Sequence, residues 1–159
     1  FPSYGFWIYK GATSLWEDFY PEQNNSMNHH FWGDVSAWFI KAIAGIKLNP
    51  DSNDISRVDI CPNFIENLTF ADGWHHSPMG KIAVQWKKDG DRAVISIAIP
   101  DGMKGRLYLP DGWITDESEY PYDGVNYMTL KNEMEVKLIK SEAFRKMTEG
   151  VTPIDISKR

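Results

Sequence analysis

The stretch MGKIAVQW, residues 79–86, decides the fold class, because its large apolar side chains recur at every second position. A period of two places its isoleucine, valine and tryptophan on one face of an extended strand. The next residues, KDGD at 88–91, are typical of a hairpin turn, and VISIAI at 94–99 returns with the same period. The pattern predicts an antiparallel hairpin with one buried face.

Similar patterns lie on both sides of this hairpin. Alternating segments occur at residues 55–60, 105–109 and 134–139, and Pro-Asp-Gly turns occur at 100–102 and 110–112. Residues 72–78, DGWHHSP, are expected to form a turn that leads into the hairpin. Short strands joined by tight turns predict a mainly β fold, an antiparallel β-sandwich of jelly-roll type.

The chain before the sandwich has a helical period instead. Apolar residues spaced three and four apart predict a helix over 33–45, with Gly45 at its end. A shorter helix is expected between Pro2 and Gly11, and residues 143–147 are expected to form one more. The aromatic residues between the first two helices lie in a segment rich in turn formers, residues 17–32, which we call the aromatic loop.

Two helices and an aromatic loop cannot bury their own apolar faces. Residues 1–50 therefore either pack on the sandwich or are the last part of a larger helical domain, and residues 51–159 are expected to form the β-sandwich domain. The chain begins with Phe1 rather than Met, which we interpret as the sign of a processed or excised chain.

Composition narrows the function classes. The formal net charge is −5 and no Lys/Arg run occurs, which argues against nucleic-acid and anionic-membrane partners. No stretch approaches the ~20 apolar residues of a membrane-spanning helix. The single cysteine, Cys61, excludes an intramolecular disulfide, and its apolar neighbours favour an inert thiol over a nucleophile.

Two neighbouring stretches carry the candidate chemistry, GATSLWE at 11–17 and NHHFWG at 28–33. Aromatic rings combined with a carboxylate, an amide and imidazoles are the composition of a pocket wall. Glu17, next to Trp16, suits a general base that activates water. An exposed acid at the end of a helix explains the same residue equally simply, so both interpretations stay open.

The four histidines suggest metal binding only weakly. His29-His30 and His75-His76 are adjacent pairs, and adjacent side chains usually diverge rather than converge on one ion. The Asp-Gly-Asp at 89–91 lacks the spaced ligands of a calcium loop and is explained by the hairpin. We therefore predict no metal site.

The sequence resembles a known family in two regions. Near its start the resemblance lies in PSYGF at 2–6, GATSLWE at 11–17 and SMNHHFWGDV at 26–35, which are similar to the end of the catalytic domain of bacterial α-L-rhamnosidases. Later it lies in GKI at 80–82 with Trp86, IAIPDG at 97–102 and LYLP at 107–110. The resemblance implies a six-hairpin (α/α) barrel that carries the active site and a C-terminal β-sandwich that follows it. Residues 1–50 would then be the C-terminal remnant of the helical-barrel catalytic domain, and residues 51–159 the C-terminal β-sandwich domain.

The resemblance also implies roles for individual residues. Glu17 matches the general base of an inverting hydrolysis, and His29 matches a histidine that contacts rhamnose; Trp16 and Asn28 are further candidates for substrate binding. Ser14 stands where the family usually has Thr. The general acid lies upstream in the family, so the chain is expected to be a C-terminal fragment of an α-L-rhamnosidase, without a cofactor and inactive by itself.

Several alternatives remain beside this interpretation. A non-catalytic carbohydrate-binding module and a purely structural β-sandwich are the main ones, and another inverting glycosidase on the same barrel is a third. The implied partners are a rhamnosyl glycoside and the upstream helical barrel. The aromatic loop would otherwise need a second copy of the chain, as a homo-oligomer, to pack against. The resemblance favours a periplasmic or secreted protein.

Overall fold

A computed structural model describes residues 4–20, 22, 25–48, 53–116 and 127–142. The chain divides into two compact units, Phe1–Phe39 and Ile40–Arg159. Compact units of this kind need not coincide with evolutionary domains, so the domain boundary near residue 50 stays a prediction. The helix expected at 143–147 lies outside the described residues.

The described residues of the first unit form two α-helices, α1 (Tyr4–Tyr9) and α2 (Asp34–Trp38). Gly11 ends α1 in a left-handed conformation with φ of 82°. Its N–H donates to the carbonyl of Ile8 at 2.9 Å, and the N–H of Ala12 donates to that of Trp7 at 2.9 Å. These two bonds form the Schellman motif, which satisfies the last carbonyls of the helix. The predicted end of the first helix at Gly11 is therefore confirmed.

The prediction of one regular helix over residues 33–45 is wrong. The chain instead forms a 3-10 turn at His30–Gly33, then α2, then a π-helix at Phe39–Ala44. The apolar stripe is also only partly buried, since Trp38 and Phe39 are 52% and 53% exposed.

Gly45 explains why the helical segment stops where it does. A Cβ on Gly45 would lie 2.2 Å from the carbonyl carbon of Cys61, and its φ is 86°. Its N–H donates to the carbonyl of Ile40 at 3.0 Å, and its own carbonyl accepts from the N–H of Cys61 at 2.8 Å. Only glycine permits this backbone contact, and the chain continues directly into a strand.

The second unit is built from two β-sheets. The described residues contain nine strands: β1 Ile46–Lys47, β2 Arg57–Ile60, β3 Phe70–Ser77, β4 Gly80–Asp89, β5 Arg92–Ala98, β6 Lys104–Leu107, β7 Trp113–Thr115, β8 Met128–Thr129 and β9 Glu133–Lys140. Their order is β1-β2-β6-β8 in the four-stranded sheet and β3-β4-β5-β9-β7 in the five-stranded sheet. This architecture confirms the mainly β fold.

The inward-facing residues of both sheets share one hydrophobic core. Ile60 and Leu107 come from the four-stranded sheet, and Ile82 and Ile95 come from the five-stranded sheet; all four are fully buried. Burial of each such side chain contributes about 1.5–3 kcal/mol. Trp86, also buried, donates its Nε1–H to the carbonyl of Ile43 at 3.0 Å, which fixes the end of the π-helix on the sandwich.

The hairpin predicted around residues 79–99 is confirmed, because β4 pairs with β5 in antiparallel register. Two details of the strand predictions are wrong. Residues 72–78 belong largely to β3 rather than to a turn, and Ile55 is exposed outside β2. The sheets are also not wholly antiparallel, since β2 and β6 run parallel.

Candidate functional site

The scaffold of the candidate site is organised around Trp7 on α1, which is 2% exposed. Its indole Nε1–H donates to the backbone carbonyl of Asp18 at 3.0 Å. Its ring also stacks on Phe19, with centroids 5.0 Å apart and planes inclined by 27°. One buried aromatic residue of the helix therefore holds the two residues that follow Glu17.

Backbone hydrogen bonds bring the two candidate stretches together. The N–H of Glu17 donates to the carbonyl of Ser26 at 2.9 Å, and the N–H of His29 donates to the carbonyl of Leu15 at 2.7 Å. The two segments therefore run antiparallel to each other over these residues. As a result, Trp16 and Glu17 lie on one segment, and Asn28 and His29 lie on its neighbour.

The hydroxyl of Ser14 adds a third link, because it donates to the backbone carbonyl of Met27. A threonine carries the same hydroxyl group at the same Cβ position. The replacement of the family's usual Thr by Ser14 therefore leaves this hydrogen bond available.

The four predicted site residues differ in exposure. Glu17 and His29 are half-buried, and Asn28 is exposed. Trp16 is 7% exposed, so its ring mainly packs inside the protein. A half-buried carboxylate remains within reach of water, and a half-buried imidazole can donate to or accept from a hydroxyl group. The paired segments can thus present a proton acceptor and a hydrogen-bonding ring to a polar ligand.

The residues after His29 keep its ring in an aromatic environment. The imidazoles of His29 and His30 have centroids 6.4 Å apart, and the ring of Phe31 lies 6.1 Å from that of His29. The hydroxyl of Tyr4 donates to the backbone carbonyl of Trp32 at 3.4 Å, which ties this turn to α1. All of these contacts join residues of the first unit and involve no second copy of the chain.

Metal ligation gains no support from the described residues. They contain no group of three or more His, Cys, Asp or Glu side chains placed to hold an ion. His75 and His76 are neighbours in β3, so their side chains point to opposite faces of the sheet. None of the helices among the described residues is long and apolar enough to span a membrane.

The supporting role of Trp7 was not predictable from the sequence. Its ring lies 5.3 Å from that of Tyr4, three residues earlier on α1. The bond to Asp18, however, joins an indole to a backbone carbonyl, and side-chain patterns contain no signal for such a bond.

Two successive regions of the chain match family models of the same enzyme. The family model described as the bacterial alpha-L-rhamnosidase 6 hairpin glycosidase domain matches residues 1–43. The model described as the bacterial alpha-L-rhamnosidase C-terminal domain matches residues 45–119. The two matches follow each other in the order that the resemblance implied.

Individual relatives agree with these matches. The chain is 31% identical over 119 residues to an alpha-L-rhamnosidase of Alteromonas sp. (strain LOR), in an alignment that covers 69% of this chain and 13% of that protein. It is 29% identical over 119 residues to one of Streptomyces avermitilis, covering 69% of this chain and 11% of that protein. The chain therefore spans only a small part of these curated relatives.

Solved structures share the fold. An α-L-rhamnosidase from Dictyoglumus thermophilum superposes with a TM-score of 0.67 at 22% identity, over 88% of this chain and 18% of that one. The Streptomyces avermitilis α-L-rhamnosidase, whose crystal structure is a complex with L-rhamnose, gives a TM-score of 0.63 at 25% identity, over 86% of this chain and 15% of that one. The chain belongs to the bacterial α-L-rhamnosidase family.

Proposed function

We propose that this chain is the C-terminal part of a glycosidase that removes terminal α-L-rhamnose from glycosides by inverting hydrolysis. The observation that carries the proposal is the match of residues 1–43 to the six-hairpin glycosidase domain. The backbone pairing of the Glu17 segment with the His29 segment supports it, because it holds a carboxylate and an imidazole on adjacent stretches.

In this mechanism Glu17 is the general base. Its carboxylate accepts a proton from a water molecule as the water oxygen forms a bond to the anomeric carbon. The bond from that carbon to the glycosidic oxygen breaks, and an acid on the opposite side protonates the leaving oxygen. Such an acid has to lie about 6.5–9.5 Å from the base, which leaves room for the water. We assign the acid to the barrel domain upstream.

The remaining site residues position the sugar. The imidazole of His29 exchanges hydrogen bonds with a rhamnose hydroxyl, and the exposed amide of Asn28 supplies another polar contact. Trp16, which is 7% exposed, contributes mainly by supporting the backbone next to Glu17 and leaves little surface for contact with the substrate. Neither the base nor the binding residues require a cofactor.

The first unit leaves large apolar side chains in contact with solvent. Ile8, Tyr9 and Phe31 are 75%, 81% and 71% exposed. Exposed apolar side chains grouped on a small unit are typical of a surface that packs on another domain. We assign this surface to the upstream helical barrel, which would also complete the walls of the active site.

The role of Glu17 is tested in a full-length parent enzyme that contains it. Glu17→Gln should lower kcat by about 100-fold to 10,000-fold, because the amide cannot accept the proton, while substrate binding changes little. Glu22→Gln removes an exposed carboxylate from the same segment and is the matched control. A near-normal kcat for Glu17→Gln would remove this residue from the mechanism.

The isolated chain should not hydrolyse an aryl α-L-rhamnoside at a measurable rate. Half of a two-carboxylate site cannot both activate water and protonate the leaving group. Release of the chromogenic phenol by the purified chain, abolished by Glu17→Gln, would contradict this expectation. In the parent, proton NMR of the first-formed sugar distinguishes inversion from retention.

A further inference from the structure

A polar hollow of about 390 Å³ lies on the outer face of the four-stranded sheet. Among the described residues that line it, four are cationic and two are acidic, namely Lys47, Arg57, Lys104 and Arg106 against Asp54 and Asp59. The complete chain carries a net charge of −5. This hollow, which we call the cationic hollow, therefore has the opposite sign to the protein around it.

Strand register explains how these charges come together. Asp59 on β2 lies opposite Lys47 on β1 and opposite Arg106 on β6, so the three residues form one row across the sheet. Arg57 lies opposite Lys104 and forms a second row. Because side chains alternate along a strand, the residues between these positions face the core, and the charged ones share the outer face.

Arg106 is held in place by aromatic neighbours. Its guanidinium carbon lies 4.8 Å from the centroid of the Tyr127 ring, and Tyr127 lies 5.6 Å from the ring of Tyr108. A hydrogen bond to Tyr108 raises the pKa of Arg106 above its usual value. A guanidinium fixed against a ring keeps its planar fork oriented, which suits two-point binding of a planar or tetrahedral anion.

Arg57 and Lys104 contribute differently to the cationic hollow. Arg57 forms an ion pair with Asp54, with 3.0 Å between Nε and Oδ2, so the charges of this pair largely cancel. Lys104 lies two residues from Arg106 on the same face of β6, which places their Cα atoms about 6.5 Å apart. An anionic group between these two side chains could contact both.

We propose that the cationic hollow binds an acidic saccharide, with a carboxylate or sulfate group held between Arg106 and Lys104. The carboxylate of Asp59 and the hydroxyl of Thr129, which lies opposite Arg106 on β8, accept hydrogen bonds from hydroxyl groups of the sugar. The volume is within the range of small-ligand sites, about 300–1,000 Å³. The choice of a saccharide rests on the proposed function, whereas the anionic group rests on the charges alone.

The test is a calorimetric titration of the complete chain with four probes: digalacturonate, galactose 6-sulfate, neutral galactobiose and inorganic sulfate. We expect digalacturonate or galactose 6-sulfate to bind, and binding to weaken as salt is added. Galactobiose and inorganic sulfate should bind at least about tenfold more weakly, because galactobiose lacks the anionic group and inorganic sulfate lacks the sugar hydroxyl groups. The stronger of the two acidic sugars identifies which anion the hollow takes.

Variants locate the site on the sheet. Arg106→Gln and Lys104→Gln should each weaken binding of the acidic sugar about tenfold or more, and Arg106→Lys should recover only part of the loss. Lys87→Gln is the matched control, because it removes the same charge from an exposed position on β4 in the other sheet. Circular dichroism confirms that each variant folds.

Three results would overturn the proposal. The first is that neither acidic sugar binds, and the second is that galactobiose or inorganic sulfate binds as tightly as they do. The third is that Lys87→Gln weakens binding as much as Arg106→Gln, because binding would then follow net charge alone. The titration needs no turnover, so a failure to bind would not contradict the proposed glycosidase activity. In the same way, an inactive parent enzyme would not contradict anion binding in the cationic hollow.

Discussion

Replacement of Trp7 by phenylalanine tests whether this residue holds the segment that carries Glu17. The phenylalanine ring can still stack on Phe19, which lies 5.0 Å from the indole. It cannot donate a hydrogen bond, so the backbone carbonyl of Asp18 loses its bond to Nε1 at 3.0 Å. The substitution therefore separates the hydrogen bond from most of the aromatic packing.

The expected cost follows from these contacts. The net contribution of a hydrogen bond of this kind is about 0.5–1.5 kcal/mol, and the full penalty does not apply because the bond is only partly buried. The smaller ring adds a fraction of a kcal/mol through lost contact with its surroundings, so the total is about 1–2 kcal/mol. This free energy refers to local opening of the first unit, not to unfolding of the sandwich.

Native-state hydrogen exchange measures this local opening directly. The amides of Glu17 and His29 donate to the carbonyls of Ser26 and Leu15, and their protection reports the pairing of the two segments. When opening equilibria control exchange, Trp7→Phe should accelerate both amides about 5- to 30-fold. Amides in β4 and β5 should exchange at unchanged rates.

Trp74→Phe is the matched control, because Trp74 is an indole on β3 that is 52% exposed. It should leave the amides of Glu17 and His29 within about twofold of the parent rates. The reasoning is refuted if Trp7→Phe does not change these amides, or if it accelerates the sandwich amides equally. Absence of protection in the unsubstituted chain would instead mean that the loop needs a partner domain or a second copy.

Three further predictions concern stability and chemistry. Gly45→Ala should lower the free energy of unfolding by about 2–4 kcal/mol in chemical denaturation, because it adds a Cβ against the backbone of Cys61 at a positive φ. Burial raises the pKa of the Cys61 thiol, so its alkylation should reach half-maximal rate at higher pH than that of a free cysteine. The folded state then holds this proton more tightly, and stability falls as the pH rises above the thiol pKa of the unfolded chain. The double substitution of Ile8 and Tyr9 by serine should reduce self-association in sedimentation velocity and change stability by less than about 0.5 kcal/mol, since both side chains are exposed.

The sequence predicted those elements whose side chains alternate visibly. The hairpin of β4 and β5 was predictable because large apolar residues recur at inward positions two apart, namely Ile82, Val84 and Trp86 on β4 and Ile95 and Ile97 on β5. β3 was not, because its inward position at Gly73 holds no side chain, where a Cβ would lie 2.5 Å from that of Ala44. Its outward position holds Trp74, which is 52% exposed. A large residue outside and a glycine inside reverse the expected pattern.

The remaining differences between the predicted and the observed structure come from contacts between distant parts of the sequence. The π-helix depends on Gly45, whose backbone meets Cys61, and neither residue reveals the other from its own neighbours. The candidate site shows the same division. The motif resemblance pointed to Glu17 and His29. The carbonyl that accepts from Trp7 is the backbone carbonyl of Asp18, and a backbone group cannot be recognised from residue types.

The distribution of buried residues predicts where the chain can be divided. All members of the sandwich core lie between Ile43 and Leu138 among the described residues. A chain of residues 40–159 should therefore fold and unfold cooperatively. A chain of residues 46–159 leaves the buried Nε1–H of Trp86 without the carbonyl of Ile43, at a cost of about 1–3 kcal/mol. It also loses the burial of Ile43 itself, which adds about 1.5–3 kcal/mol.

The combined loss approaches the whole stability of a marginal domain, about 5 kcal/mol. The shorter chain should therefore have a much lower Tm, or no cooperative transition, in calorimetry, whereas the longer one keeps the Tm of the sandwich. Ile43 is the last residue that the glycosidase-domain family model matches, so such a result would show that the sandwich depends on a core residue from the segment matched by that model. Equal melting temperatures for the two chains would contradict this dependence and would make the C-terminal domain independent of the helical segment.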